Sequence, residues 1–522
     1  MKLENMFYHN FLTQPRGIYL KYEAVKEQNK SQRLEAIRIS TSRTIIYFIS
    51  ILINLIATIV LARKLIPTDY AIYQLATKRI ISYATIPLSL FSLWIYRYIV
   101  ENQSGAYISS VVFAFIQWIF TLIVGIVFLV FYSKISLLTL IIAALSISFQ
   151  SFYYVIRTAI DAARPVRLSL LELFYRSLYS TLIFITLYLI SNSLLLAFLS
   201  TLVSFIISSI IGLYWIKERI SKDNTKNIKN TLKEWTIGSH ATALGVGFGL
   251  IPSLDAMIAY PLVGSLIVAA FFVSSSVSTL LRDSTNVGLR YLHSYVLRTG
   301  DFKTAIRNLE ISLTLVLPLL VYGIMYPKYV IYIYNPIYSW ASIAVSLFLI
   351  TAIIEIINNG VSQIASGSIR ESGIKAAKGF TKMNLLGALP SIVYIGLLSF
   401  AFILFRKMGL QDLLLIWGLV YFIRYLLSVI ITSWYFIPKN INKSIIIQLT
   451  PKLLLYILIS SILSYAIRPM GAPSGRLLID IKYLAIPGLI QALIFYLIVF
   501  LIDKGIRRNI INFLNKFLRK LY

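Results

Sequence analysis

The apolar positions of this chain neither alternate nor recur at every third or fourth place; they run on. Fourteen such runs fall near 44–62, 71–95, 107–132, 136–156, 168–190, 194–216, 236–258, 262–281, 308–326, 339–358, 383–405, 413–436, 453–467 and 483–502. An α-helix rises about 1.5 Å per residue, so about 20 apolar residues cross the roughly 30 Å hydrocarbon layer of a bilayer. No water is present there to satisfy backbone N–H and C=O groups, and a helix satisfies them within one segment. The pattern predicts an all-α polytopic membrane protein of about fourteen transmembrane helices, with connections too short to build a soluble domain.

The runs group as two sets of six and a final pair. A basic connection at 217–235 follows the sixth run, and features on either side of it echo one another. The turn Arg157–Arg167 after run four resembles Gln363–Lys375 after run ten, each made of small residues flanked by cations. Leu61–Tyr73 and Asp255–Gly264 are both tight Pro turns between the first two helices of a set. An even number of spans per set makes the repeat parallel, related by an axis along the membrane normal. The expected divisions are an N-terminal segment 1–43, an N-lobe 44–216, a linker 217–235, a C-lobe 236–436, two further spans within 437–502, and a tail 503–522. In the tail Ile506, Ile510, Phe513, Phe517 and Leu521 share one stripe, largely away from Arg507, Arg508 and Arg519, which predicts an amphipathic helix lying on the membrane surface.

Charge orients these helices. The chain is 58% hydrophobic and only 13% charged, yet carries a net charge of +29. If residue 1 lies in the cytoplasm, about 36 of the 49 Lys and Arg residues fall in the eight cytoplasmic segments, roughly 9 outside and 4 within spans. That is the positive-inside bias, so the basic excess is read as orientation and attraction to membrane lipids, with no nucleic-acid partner expected. Both termini are expected in the cytoplasm of a multi-pass plasma-membrane protein. Residues 1–43 are polar and carry eight cations, so no cleavable leader is expected. The absence of Cys excludes disulfides, thiolate metal sites and cysteine nucleophiles.

No catalytic pattern is visible. His9, His240 and His293 are far apart, no phosphate-cradling loop occurs, and Gly245-Val-Gly-Phe-Gly249 lies inside an apolar run with no preceding strand. A non-enzyme without metal or cofactor is expected. The informative residues are ionisable groups within spans, where a Lys, Arg or Asp at the centre costs about 2.5–3.5 kcal/mol to insert and faces a partner or a cavity. Lys78 and Arg79 lie in span two, Arg176 in span five and Arg424 in span twelve. Acids are fewer: Glu172 one turn from Arg176, Asp255 at the end of span seven, and Glu355 in span ten. Asp255, Glu172 and Glu355 are the candidates for coupling or gating, although Asp255 suits a cap as well; Glu172 and Arg176 suit mutual neutralisation as well as function, and Lys78 and Arg79 are close enough to the outer boundary to snorkel. Arg424 has no acid within a turn. The excess of base favours an anionic substrate over a cationic drug. Helix breakers cluster in span seven, where Gly245, Gly247, Gly249 and Pro252 suit a hinge or close helix packing. Pro87, Pro318 and Pro390 are expected to add bends elsewhere.

The whole-chain plan and its segments resemble the polysaccharide and oligosaccharide flippases of the multidrug/oligosaccharidyl-lipid/polysaccharide exporter superfamily. Ile59–Tyr73 resembles that family's Leu-Ala-Arg-x-Leu-Gly-Pro segment, with Ile66 and Ala71 where Gly is usual. Ser253–Gly264 is similar to its Asp-Arg segment at the end of span seven, with Ala256 in place of the Arg. Tyr326–Asn335 and the turns after spans four and ten match more loosely. The resemblance implies alternating-access transfer of a polyprenyl-(pyro)phosphate-linked oligosaccharide from the cytoplasmic to the outer leaflet. Lys78, Arg79, Arg176 and Arg424 would hold its anionic head, H+ or Na+ would supply coupling, and glycosyltransferases of the same route would be partners. A cation-coupled drug exporter of the same superfamily is the alternative. From another class, a membrane glycosyltransferase or ligase would need paired acids on a large outer loop, whereas the longest such connection, Arg468–Lys482, has only Asp480; a non-transporting scaffold would need no buried charge.

The orientation has a direct test, because added cysteines meet no background in a Cys-free chain. In sealed cells a membrane-impermeant maleimide is expected to label Ile135→Cys and spare Thr225→Cys; the opposite result would invert the topology.

Overall fold

The computed structural model describes residues 46, 49–132, 135–289, 291–369, 373–437, 439–505 and 507. The segment expected over 1–43 and nearly all of the amphipathic tail lie outside the described residues. Every regular element described is helical. Eleven helices are long and apolar enough to cross a membrane, and they coincide with expected spans three to twelve and fourteen. Span one is a helix over 49–64. Span two is broken into Pro67–Gln74, a π turn Leu75–Ile80, Ile81–Ala84 and Ile86–Val100. Span thirteen has its apolar part at Pro451–Ala466 within Lys439–Ala466. The chain is a polytopic, all-α membrane protein.

Several helices overrun the apolar runs. Span four extends over Leu137–Ala163, span eight over Ser265–Leu289, span ten over Ser342–Ser368 and span eleven over Gly373–Phe405. An apolar run records the thickness of the bilayer, whereas a helix continues for as long as its i→i−4 bonds are unopposed. Residues expected in loops, including Arg157 and Arg282, therefore stand on helices.

Helix pairing recurs with an offset of six spans. Spans three and four pack together, as do nine and ten; four with six and ten with twelve; five with six and eleven with twelve; two with four and eight with ten. The first set meets the second chiefly through span two. Its first piece Pro67–Gln74 lies against span eight, and its last piece Ile86–Val100 against span seven, which comprises Ile228–Leu250, Ile251–Ser253 and Leu254–Val263. Gly238 permits that second contact, because a Cβ there would collide with the Trp94 indole.

Polar ties close both ends of the seam. At one end Arg63 donates to the carbonyls of Ile333, Tyr332 and Gly475 at 2.9, 2.5 and 3.0 Å, and Asn335 donates to the Ala62 carbonyl at 2.8 Å. At the other, Tyr98 donates to Glu234 at 2.6 Å. Apolar side chains such as Ile123, Phe131 and Leu497 remain exposed on the periphery, the composition a lipid-facing surface requires.

Of the four prolines expected to bend or hinge their spans, two lie at interruptions of the helix. Pro252 coincides with the 3₁₀ turn Ile251–Ser253, and Pro87 follows the interruption at Thr85. Pro318 and Pro390 remain inside uninterrupted helices. In span two a π turn was not expected. It leaves the Thr77 carbonyl to accept from Gln150 at 3.4 Å, a bond that needs span four alongside.

Candidate functional site

The π turn places two cations side by side between the sets of helices. A π turn inserts an extra residue into the helical ladder and re-aims the side chains around it. Here those are Lys78 and Arg79. Arg79 reaches span seven, with Nε 2.9 Å from Oδ1 of Asp255 and Nη2 donating to Oδ2 at 2.9 Å. Only the Nη2 contact has hydrogen-bond geometry; Nε lies close to Oδ1 as an ion-pair contact without donating to it. Asp255 is only 1% exposed and also accepts from Tyr394 at 3.1 Å, whose hydroxyl accepts from Trp417 at 2.9 Å. One carboxylate thus joins spans two, seven, eleven and twelve.

Aromatic rings build the wall around this pair. Phe271 lies flat on Trp417, ring centres 3.9 Å apart, and Tyr421 meets both Phe271 and Tyr394 edge-on. The guanidinium of Arg424 is held 4.8, 5.4 and 5.9 Å from the ring centres of Tyr425, Tyr394 and Tyr421. Rings at this distance attract a cation without neutralising it. Among the described residues no carboxylate lies within 4 Å of Arg424. Lys78 stands 5.6 Å over the Phe272 ring, within electrostatic reach of Arg79, Arg282 and Asp283, and again with no carboxylate within 4 Å among the described residues. It is an exposed side chain within the bundle.

Glu355 is paired. Arg282 of span eight donates Nη1 to its Oε1 at 2.6 Å and Nε to Asp283 at 2.8 Å. Glu172 and Arg176 form a separate cluster in the first set of helices. There Arg157 approaches Glu172 at 2.8 Å, Arg176 at 3.5 Å, and Tyr153 donates to it at 3.2 Å. The structure therefore brings Lys78, Arg79, Asp255, Glu355 and Arg424 around one group of aromatic rings, and sets Arg176 and Glu172 apart. Arg282, Asp283 and Arg157 were missed because they follow the ends of apolar runs. For Arg282 a signal existed, since Ser275, Ser278, Thr279 and Arg282 recur at helical spacing on span eight. Nothing in the sequence distinguished Tyr394 from the other 34 tyrosines among the chain's 35.

The span-seven glycines differ in their surroundings. A Cβ at Gly245 would collide with the Asn384 amide, so that glycine lets span eleven approach. At Gly247 and Gly249 a Cβ would meet open space. Just beyond them Tyr83 donates to the Leu250 carbonyl at 2.8 Å, occupying a backbone acceptor at the 3₁₀ turn. Among the described residues no group of three or more His, Asp or Glu is placed to hold a metal ion.

No family model matches the chain, and no curated protein matches it. Solved structures do. An inward-facing multidrug resistance MATE family transporter of the MOP superfamily aligns with a TM-score of 0.56 at 14% identity, covering 78% of this chain and 99% of its own. The lipid II flippase MurJ, in an inward closed conformation, aligns at 0.51 and 16% identity, covering 88% and 98%. A MOP superfamily transporter from Pyrococcus furiosus, described as having a binding pocket of reverse polarity, aligns at 0.51 and 13% identity, covering 76% and 95%. The chain has the fold of the MOP superfamily transporters.

The Arg79–Asp255 pair makes a quantitative prediction. Removing one partner leaves a charge without compensation between helices, a loss of about 3 kcal/mol for a buried pair. Asp255→Asn is expected to lower the unfolding temperature in detergent, and Arg79→Gln combined with Asp255→Asn to restore most of it. A loss in the double variant equal to the sum of the losses in Arg79→Gln alone and Asp255→Asn alone would show that the two side chains are not energetically coupled.

Proposed function

We propose that this protein is a transporter that carries an anionic, lipid-linked substrate across the cell membrane, with a polyprenyl-(pyro)phosphate-linked oligosaccharide as the best fit. The observation that carries this reading is the pair Lys78 and Arg424, two cations inside the bundle with no carboxylate within 4 Å among the described residues. For Arg424, which is half-buried, an isolated charge in a low-dielectric interior is costly unless something compensates it, whereas Lys78 is exposed and accessible to a ligand. A phosphate group that arrives, is held and leaves would supply compensation only while transport proceeds. Arg424 offers forked donors for its oxygens and Lys78 a mobile point charge. In this reading Arg79 and Arg282 hold Asp255 and Glu355 neutral in sum, so that the cavity's surplus is positive. A cation-coupled drug exporter would need the reverse balance, and the pairing of both acids counts against it.

Alternating access is proposed to arise from rocking of residues 44–216 against 236–436, with both termini on the cytoplasmic side of the plasma membrane. Span two is central to the motion because it contacts both span seven and span eight. Coupling to H+ or Na+ would act through Asp255 or Glu355, and flux that ignores both gradients in proteoliposomes would remove that element. Glycosyltransferases supplying the substrate are proposed partners, to be sought by co-purification.

In proteoliposomes Arg424→Ala and Lys78→Ala should each slow flipping of a polyprenyl-pyrophosphate-linked oligosaccharide by about tenfold or more, the loss of one charge-assisted contact. Arg424→Lys should retain part of the rate. Undiminished flipping in both Ala variants would remove these residues from substrate binding, and an uncharged substrate transported equally well would overturn the anionic reading.

Span seven is proposed as the hinge of the second set. Gly247→Ala and Gly249→Ala add methyl groups where there is room, and each favours the helix by roughly 1 kcal/mol in soluble hosts. With Pro252→Ala the triple variant should fold, populate one conformation between paired spin labels across the cavity mouth, and lose transport. Two conformations at wild-type populations with full transport would leave these residues a packing role only.

A further inference from the structure

We infer that a second anion site lies at the membrane surface, in a cavity of about 770 Å³ between the start of span nine, the start of the apolar part of span thirteen and the end of span fourteen, and that it takes the phosphate of an anionic phospholipid headgroup. Three chain positions fix its depth. Lys303 opens the helix Phe302–Met325, Lys452 stands at the head of the apolar helix Pro451–Ala466, and Lys504 follows the helix Leu477–Ile502. Each marks the edge of an apolar run, so the cavity opens at headgroup level whichever way the protein is oriented.

Its charges divide into two groups. Lys452 binds Glu310 at 2.9 Å and Asp503 at 3.1 Å, and Asp503 also accepts from Tyr456 at 2.7 Å and from the Gly505 N–H at 2.7 Å. Both acids in the cavity are thereby engaged. Lys303, Arg307 and Lys504 line the same cavity with no carboxylate within 4 Å among the described residues. Arg307 lies over the chain after span fourteen, where a Cβ at Gly505 would meet its guanidinium at 2.5 Å. The cavity's four cations and two acids leave an excess of two positive charges. Below them Leu455 and Ile502, 44% and 56% exposed, offer an apolar surface continuous with the membrane. Cations above and aliphatic carbon below match a phosphodiester joined to acyl chains; a free phosphate would use only the first.

The site has no element in common with the central cations, so its test stands apart from transport. Purified full-length protein in detergent is probed by native mass spectrometry with phosphatidylglycerol and phosphatidylcholine of the same chains. Phosphatidylglycerol should be retained preferentially, and Arg307→Gln with Lys504→Gln should reduce retention by about thirtyfold, about fivefold per cation. If that double variant does not fold, Lys303→Gln, an exposed position, should give the fivefold effect alone. Millimolar inorganic phosphate should leave the bound lipid in place. Equal retention of both lipids, unchanged retention in the variants, or displacement by inorganic phosphate would each overturn the assignment.

Discussion

The constraint on which this structure depends is the cost of a charge in a medium that cannot solvate it. Every carboxylate deep in the described bundle is met by a donor: Glu172 by Arg157 and Arg176, Asp255 by Arg79, Glu355 by Arg282. Apart from Glu172–Arg176, which lie on one helix, these pairs join helices where the hydrophobic effect gives little drive, because lipid tails are as apolar as Leu and Ile. The bundle is held by packing and by polar ties whose loss exposes an orphaned group to hydrocarbon. The charges thereby add specific ties between spans four and five, two and seven, and eight and ten.

The same constraint governs where helices break. A π turn in span two and a 3₁₀ turn in span seven each free backbone groups, which water would satisfy in a soluble protein. Here Gln150 donates to the Thr77 carbonyl and Tyr83 to the Leu250 carbonyl. The two irregular turns face one another, tied by Arg79 and Asp255 as well as by Tyr83. Irregular backbone at membrane depth is tolerated only within protein or beside a wet cavity. Both breaks fall at the seam between the two sets of helices, where neighbouring polar side chains are available.

Much of the fold was legible in the sequence because membrane crossing is a one-dimensional requirement. Length and hydropathy alone locate a span, and all fourteen expected spans have a helix among the described residues. Proline was a weaker guide. Pro252 marks a break, whereas Pro390 sits in a continuous helix. The candidate site was legible only as a set of anomalies. Buried ionisable residues announce themselves by their cost, but their partners are set by tertiary contacts. Asp255 finds Arg79 176 positions away, and Glu355 finds Arg282 at a separation of 73. Arg282 lay just past an apolar run, so a rule based on hydropathy assigned it to a loop.

The treatment of Arg424 shows how a cation can remain both stable and available. A carboxylate would neutralise it and, in forked geometry, would compete with any incoming phosphate for the same donors. Tyrosine rings stabilise the charge through their faces and leave the guanidinium edge free to donate. Tyr421 and Tyr425 lie one turn apart on the same helix as Arg424, with hydroxyls 3.3 Å from one another, and Tyr394 enters from span eleven already fixed by Trp417 and Asp255. The cage is therefore linked to the ion pair at the seam through Tyr394. A shift of Asp255 relative to Arg79 would move a ring that faces Arg424, which gives the central cation a physical connection to the interface between the two sets of helices.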